Sequence, residues 1–222
     1  MAHGIRRRIE AGLASRGAKP AIFALALLPL VWLAWLALSG GLGAEPIAEG
    51  VRQTGLWALR FLLLALAVTP LRRLTGLSGL ARYRRMIGLF AFFYAMLHLS
   101  TYIGIDQFFD WHAVWKDIVK RPYITVGMGA FLILSVLAAT SPTAMVRRLG
   151  GRRWRVLHKA VFAAGAAGCL HYIMLVKGWQ TAPLVYAGIL AILLAFRIPG
   201  RLAAPVTLKA PGGGGRPVRD NA

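Results

Sequence analysis

The chain is poor in charge, poorer still in acid, and nearly free of cysteine. Only 15% of its 222 residues are charged, against 58% hydrophobic, and the mean hydropathy is +0.61. So few polar side chains cannot coat a water-soluble globule, which excludes a soluble domain and makes lipid the solvent. Asp and Glu number 7 against 27 Lys and Arg. The excess does not point to nucleic acid, because the basic residues fall in short clusters between apolar runs and form no basic domain. The one cysteine, Cys169, has no partner for an internal disulfide and no CxxC with which to hold zinc or an iron–sulfur cluster.

What is present is a series of apolar stretches, near 20–39, 53–70, 86–105, 122–140, 158–176 and 183–197. Each is long enough, or nearly so, to cross a hydrocarbon core of about 30 Å as a helix. The expectation is an all-α membrane protein: a six-helix bundle over 20–197, a basic N-terminus over 1–19 and a flexible tail over 198–222 that includes PGGGG. The first stretch follows Arg6, Arg7 and Arg8 as a signal peptide would, but its apolar part exceeds the usual h-region of about 7–15 residues, so it reads as a helix. Pro29 is expected to kink it.

Basic residues cluster on one side of the expected bundle. They are Arg6, Arg7, Arg8, Arg16 and Lys19; Arg72, Arg73, Arg82, Arg84 and Arg85; Arg147, Arg148, Arg152, Arg153, Arg155 and Lys159; and Arg197, Arg201, Lys209, Arg216 and Arg219. The alternate loops mix Arg52, Lys116, Lys120, Arg121 and Lys177 with Glu45, Glu49, Asp106, Asp110 and Asp117. The excess of Lys and Arg on one side implies that both termini are cytoplasmic. Trp111 and Trp115 fit an outer interfacial belt and Trp154 an inner one.

Three histidines lie in or beside the spans. At 1.5 Å per residue His98 is roughly 20 Å from the basic anchor Arg85, and His171 roughly 24 Å from Arg155. His158 is within about 5 Å of that second anchor. His98 and His171 thus share a depth, whereas His158 lies near the cytoplasmic surface. Each of these alone could be a packed, hydrogen-bonded side chain. Two at one depth on different helices suit the two axial positions of a haem iron, a six-coordinate centre for electron transfer with no open site for substrate. The run Ala163–Gly168 could leave room for a flat macrocycle or serve close helix packing. Arg60, inside the second span, needs a partner there; it could contact a haem propionate, a flavin phosphate or a quinone, or snorkel to the outer interface. His112 falls in what reads as a solvated loop, and His3 in a disordered N-terminus.

The segments GGLGAEP (40–46), TGLWALRFLLLALAVTPLRRL (54–74), RYRRMIGLFAFFYAMLHLSTY (82–102), KRPYITVG (120–127) and WRVLHKAVFAAGAAGCLHYIMLVK (154–177) resemble, in that order, the MsrQ (YedZ) family of haem-binding membrane subunits. That family lies within the ferric-reductase-like transmembrane superfamily. The resemblance implies b-type haem, one or two per chain, with His98, His158 and His171 as the ligand candidates, and flavin mononucleotide as a further cofactor. It implies a partner, the periplasmic molybdopterin enzyme MsrP, which reduces methionine sulfoxide in oxidised proteins, and a place in the bacterial inner membrane. The superfamily pattern pairs His98 with His158, where depth pairs His98 with His171. Only about 25 residues follow the sixth stretch, without GxGxxG, so no NADPH-binding domain is expected. The resemblance implies the quinol pool or a cytosolic flavin reductase as electron donor. Competing readings are a ferric-reductase-like or cytochrome-b-like oxidoreductase with another acceptor, and a proton-coupled transporter using the histidines as relays. The transporter reading is weakened by the absence of acidic residues from the apolar cores. The outer loops 40–52, 105–121 and 177–182 would receive a soluble acceptor weakly.

A reporter fused after Ala222 should therefore be active in the cytoplasm, and periplasmic activity of that fusion would overturn the six-span orientation.

Overall fold

The computed structural model describes residues 2–176 and 180–197; the expected tail and the first half of the loop 177–182 lie outside the described residues. Helices account for nearly everything described. They are α1 (Ala2–Ala14), α2 (Ala18–Leu38), α3 (Pro46–Thr75), α4 (Arg84–Thr101), α5 (Trp111–Lys120), α6 (Pro122–Ala139), α7 (Thr143–Leu149), α8 (Gly151–Leu157), α9 (Val161–Leu175) and α10 (Thr181–Ala195). A 3₁₀ turn, Ser78–Tyr83, leads into α4, and a π turn, Tyr102–Asp106, leaves it. A second 3₁₀ turn, His158–Ala160, joins α8 to α9.

Five helical stretches are long and apolar enough to cross a membrane: α2, α3, Ser78–Asp106, α6 and Gly151–Leu175. The sixth expected span, α10, is apolar but has 15 residues, about 22 Å of helix. Of the five, α3 is central, with 61% of its apolar window buried against 17–22% for the others. The closest packing joins α3 to α4 and α6 to α9, and contacts between these two pairs are sparser. The bundle is thus two tight helix pairs meeting along a looser seam, with α2 and α10 added outside.

Lipid offers no hydrogen bonds, so backbone groups freed where a proline disturbs a span need partners from the protein. Pro29 opens α2, and Tyr94, whose side chain is fully buried, fills the gap. Its hydroxyl accepts from the Leu30 N–H at 3.1 Å and donates to the Ala26 carbonyl at 2.9 Å, bridging the two ends of a helix bond that would otherwise run directly. Pro70 withdraws the donor that the Leu66 carbonyl would have had, and Arg197 Nη2 supplies one at 2.8 Å.

The N-terminus, expected to be disordered, is a docked helix. Glu10 accepts from the Ser78 and Gly79 N–H groups at 2.5 and 3.1 Å, capping the 3₁₀ turn. Arg6 donates to the Gly76 carbonyl, and Tyr83 and Arg82 to that of Leu13. These contacts join segments about 70 positions apart and leave no local signature. The stretch 105–121, expected as an outer loop, also contains a helix. Asp110 caps α5 through the Ala113 N–H at 3.0 Å, and Val114 is buried while Trp111 and Trp115 face outward. His112 is exposed, in keeping with its reading as solvated.

Tyr94→Phe should leave the Leu30 N–H and Ala26 carbonyl without their bridge and destabilise the bundle by about 1–3 kcal/mol, read by thermal unfolding in mild detergent. Adding Pro29→Ala should recover most of that loss, because a straight α2 restores the direct bond; a double variant no more stable than Tyr94→Phe would refute the bridging role.

Candidate functional site

His98 and His171 use the same device. His98 Nδ1 lies 2.8 Å from the Val51 carbonyl on α3, and His171 Nδ1 lies 2.6 Å from the Tyr123 carbonyl on α6. A carbonyl can only accept, so in each neutral ring Nδ1 carries the proton and Nε2 keeps its lone pair. Each carbonyl also belongs to a helix ladder, whose N–H at that point comes from the residue four positions on. Those residues are Gly55 and Gly127. A Cβ at Gly55 would stand 3.1 Å from the His98 ring, and one at Gly127 would stand 2.7 Å from His171 Nδ1. The missing side chains are what let the imidazoles reach the carbonyls.

The two rings face each other across the seam, with centroids 6.3 Å apart and planes at 72°. With a metal–imidazole bond of about 2.0 Å and roughly 1.2 Å from ring nitrogen to centroid, two axial imidazoles on one iron stand about 6.4 Å apart, centroid to centroid. The match is close. Among the described residues no group of three or more His, Cys, Asp and Glu could hold a metal ion. Two imidazoles alone leave four coordination positions unfilled, which a planar tetrapyrrole fills and a bare structural zinc site does not.

His158 stands apart from this pair, at the basic end. Its ring stacks on Trp154 with centroids 3.9 Å apart, and Nδ1 approaches the Trp154 carbonyl at 3.2 Å. Its Nε2 is buried with no hydrogen-bond partner. Arg60 Nε donates to the Tyr186 hydroxyl at 2.8 Å, and the guanidinium lies 4.6 Å from the centre of the Trp57 ring. The small-residue run takes the packing reading where it is buried, since a Cβ at Gly165 would meet Leu190 and Leu66 at 3.3 and 3.4 Å. Sequence reasoning missed Val51, Gly55, Tyr123 and Gly127. The only local signal was a glycine inside each of two apolar helices, which carries no hint of the histidine it faces.

Residues 54–169 match the family described as the ferric reductase like transmembrane component, which sets the class of the chain. Within that class it is 56% identical over 178 residues to the protein-methionine-sulfoxide reductase haem-binding subunit MsrQ of Rhodospirillum rubrum, covering 80% of this chain and 86% of the relative. The subunits of the same name from Brucella anthropi and Caulobacter vibrioides are 49% and 46% identical. These matches cover 80% and 77% of this chain, and 80% and 81% of the relatives. The chain belongs to the MsrQ family of ferric-reductase-like membrane proteins.

Gly127→Ala should destabilise the protein by about 1–3 kcal/mol in a thermal unfolding assay, because the new methyl group must displace the His171 ring from its carbonyl. Gly55→Ala, with a few tenths of an ångström more room, should cost less; the reverse order would contradict the role assigned to the two glycines.

Proposed function

We propose that this chain is the haem-carrying electron-transfer subunit of a protein-methionine-sulfoxide reductase, with a b-type haem held between His98 and His171. The observation that carries this reading is the facing pair itself: two imidazoles whose Nδ1 protons are spent on backbone carbonyls, set at the separation one iron requires. Bound there, the haem supplies a one-electron carrier whose iron has no free position for substrate. The residues of the chain do the rest. Val51 and Tyr123 fix the tautomer and plane of each ring, as outer partners of metal-bound histidines do. Gly55 and Gly127 give the rings their places. Arg60, which pairs with no carboxylate among the described residues, offers its terminal N–H groups to an anionic edge of the cofactor.

The remaining features extend the reading. The basic end faces the cytoplasm of a bacterial inner membrane, and α10 completes six spans by tilting neighbours or thinning the bilayer locally. His158, with its unpartnered Nε2, marks the electron-entry end. Arg73 and Arg197 donate to backbone carbonyls there and keep their charge, a setting that suits the carboxylates of a second haem or the phosphate of flavin mononucleotide. The donor is a quinol or a cytosolic flavin reductase. The acceptor is a periplasmic molybdopterin reductase of the MsrP kind, docking on the outer loops near α5.

The purified protein should show a reducible b-type absorption spectrum and, because the ring planes stand at 72°, the highly anisotropic low-spin EPR signal of near-perpendicular axial imidazoles. His98→Ala and His171→Ala should each abolish that signal, while His158→Ala keeps it and slows reduction from the cytoplasmic side. Loss in His158→Ala with retention in His171→Ala would refute the pairing, and a colourless preparation from haem-replete cells would sink the function.

A further inference from the structure

One carboxylate joins the helix of His98 to the turn that supports His171. Asp117, on α5, has a side chain only 16% exposed, and it uses both oxygens internally. Oδ2 accepts from the Tyr102 hydroxyl at 2.9 Å, and Oδ1 pairs with Arg121 Nε at 3.1 Å. Tyr102 begins the π turn at the end of α4, about one helical turn beyond His98. Arg121 precedes α6, and its Nη1 donates to the Tyr123 hydroxyl at 3.2 Å. Tyr123 is the residue whose carbonyl takes the His171 Nδ1 proton. The path from His98 to His171 through protein therefore runs along α4 to Tyr102, across Asp117, and through Arg121 to Tyr123.

We propose that Asp117 is a positioning residue that sets the angle between the two imidazole planes. The inference rests on the reading of His98 and His171 as a haem pair. Tyr123 sits in the first turn of α6, where a helix has no preceding turn to hold it and frays most readily. Its carbonyl can fix a ring plane only if that turn is held from outside; Thr125 ties it to the Ile118 carbonyl of α5, and Asp117 ties it to the helix of the other histidine. The connection between Tyr102 and α5 is itself under strain. Phe108 and Phe109 both have positive φ, 47° and 61°, which bulky residues adopt only where surrounding contacts enforce it. The Phe109 N–H bonds to the Ile103 carbonyl at 2.9 Å on one side of that turn, and the Asp117–Tyr102 bond closes it on the other. With both oxygens committed inside, Asp117 differs from Asp106 and Asp110 and is not a docking charge for a soluble partner.

The test compares full-length protein carrying Asp117→Asn, Asp117→Glu and Tyr102→Phe. The anisotropy of a low-spin ferric signal follows the angle between its axial rings, so Asp117→Asn and Tyr102→Phe should shift and broaden the largest g value in the same direction, with haem content within about twofold of wild type. Asp117→Glu should restore the wild-type signal. In haem-free protein the same two variants should speed amide hydrogen exchange over 121–125 by about tenfold. A shift in Asp117→Asn without one in Tyr102→Phe would mean that the lost charge acts directly on the iron, and would overturn the proposal. So would unchanged g values and exchange in both. Tyr102→Phe alters no charge and keeps the proposal testable if Asp117→Asn fails to fold. If wild-type protein shows no low-spin signal, the haem reading fails, and unchanged hydrogen exchange in the haem-free variants would then overturn the clamp as well.

Discussion

An imidazole in a lipid-embedded bundle must place both of its nitrogens, and the structure depends on how two histidines do so. Hydrocarbon supplies no donor or acceptor, so a ring nitrogen left over carries its full desolvation penalty. His98 and His171 each give Nδ1–H to a carbonyl of the neighbouring helix. That bond fixes the tautomer, the ring plane and the side to which Nε2 turns. It also dictates which helices must touch. The two bonds run from α4 to α3 and from α9 to α6, the same pairs that pack most closely. A carbonyl already inside a helix ladder has a second lone pair to give, but the way to it passes beside the residue four positions on. Only glycine leaves that way open, as Gly55 and Gly127 do. The bundle can thus be described as two helix pairs, each locked by one histidine, with the two rings 6.3 Å apart at the seam.

The same demand explains features far from the histidines. The Tyr94 hydroxyl enters α2 where Pro29 has opened it, and Arg197 reaches the carbonyl that Pro70 left without a donor. Arg60 spends Nε on a tyrosine and its flat face on a tryptophan, a way to hold a guanidinium in lipid without a carboxylate. The few described side-chain atoms that remain buried and unpartnered are Trp57 Nε1, His158 Nε2 and Arg197 Nε. Two of these three, His158 Nε2 and Arg197 Nε, lie at the basic end.

Much of this was legible in the sequence because it depends on quantities measured along one helix. Apolar length located the spans, and the fixed rise per residue set His98 and His171 at one depth. Equal depth is a condition for the 6.3 Å approach of their rings, and depth alone cannot say which helices adjoin. What was not legible depends on contacts between distant segments. Glu10 looks like an isolated acid in a basic terminus until its oxygens meet Ser78 and Gly79. Gly127 looks like one more small residue of a membrane helix until His171 is seen against it. The helix α5 was hidden for a different reason: it is short and lies among charges, so a search for long apolar stretches passes over it. The short α10 shows the opposite limit, where composition is clear and length is marginal.

The two ends of the bundle handle charge in opposite ways. At the end that carries Asp117, the ion pairs Glu49–Arg52 and Asp117–Arg121 join acid to base within one turn. At the other end arginines donate to backbone: Arg6 to Gly76, Arg82 to Leu13, Arg73 to Phe196 and Arg197 to Leu66. Several of these carbonyls lie at or beyond the last turn of a helix, where no internal donor remains and a cation is favoured by the helix dipole. A carbonyl satisfies a guanidinium's hydrogen bond without cancelling its charge. The basic end is therefore structurally complete while keeping nearly all of its positive charge, and Glu10, the one acid described there, is occupied with backbone N–H groups. A field of that sign attracts anions in general. The histidine pair lies far enough along the bundle to be governed by its own carbonyls instead.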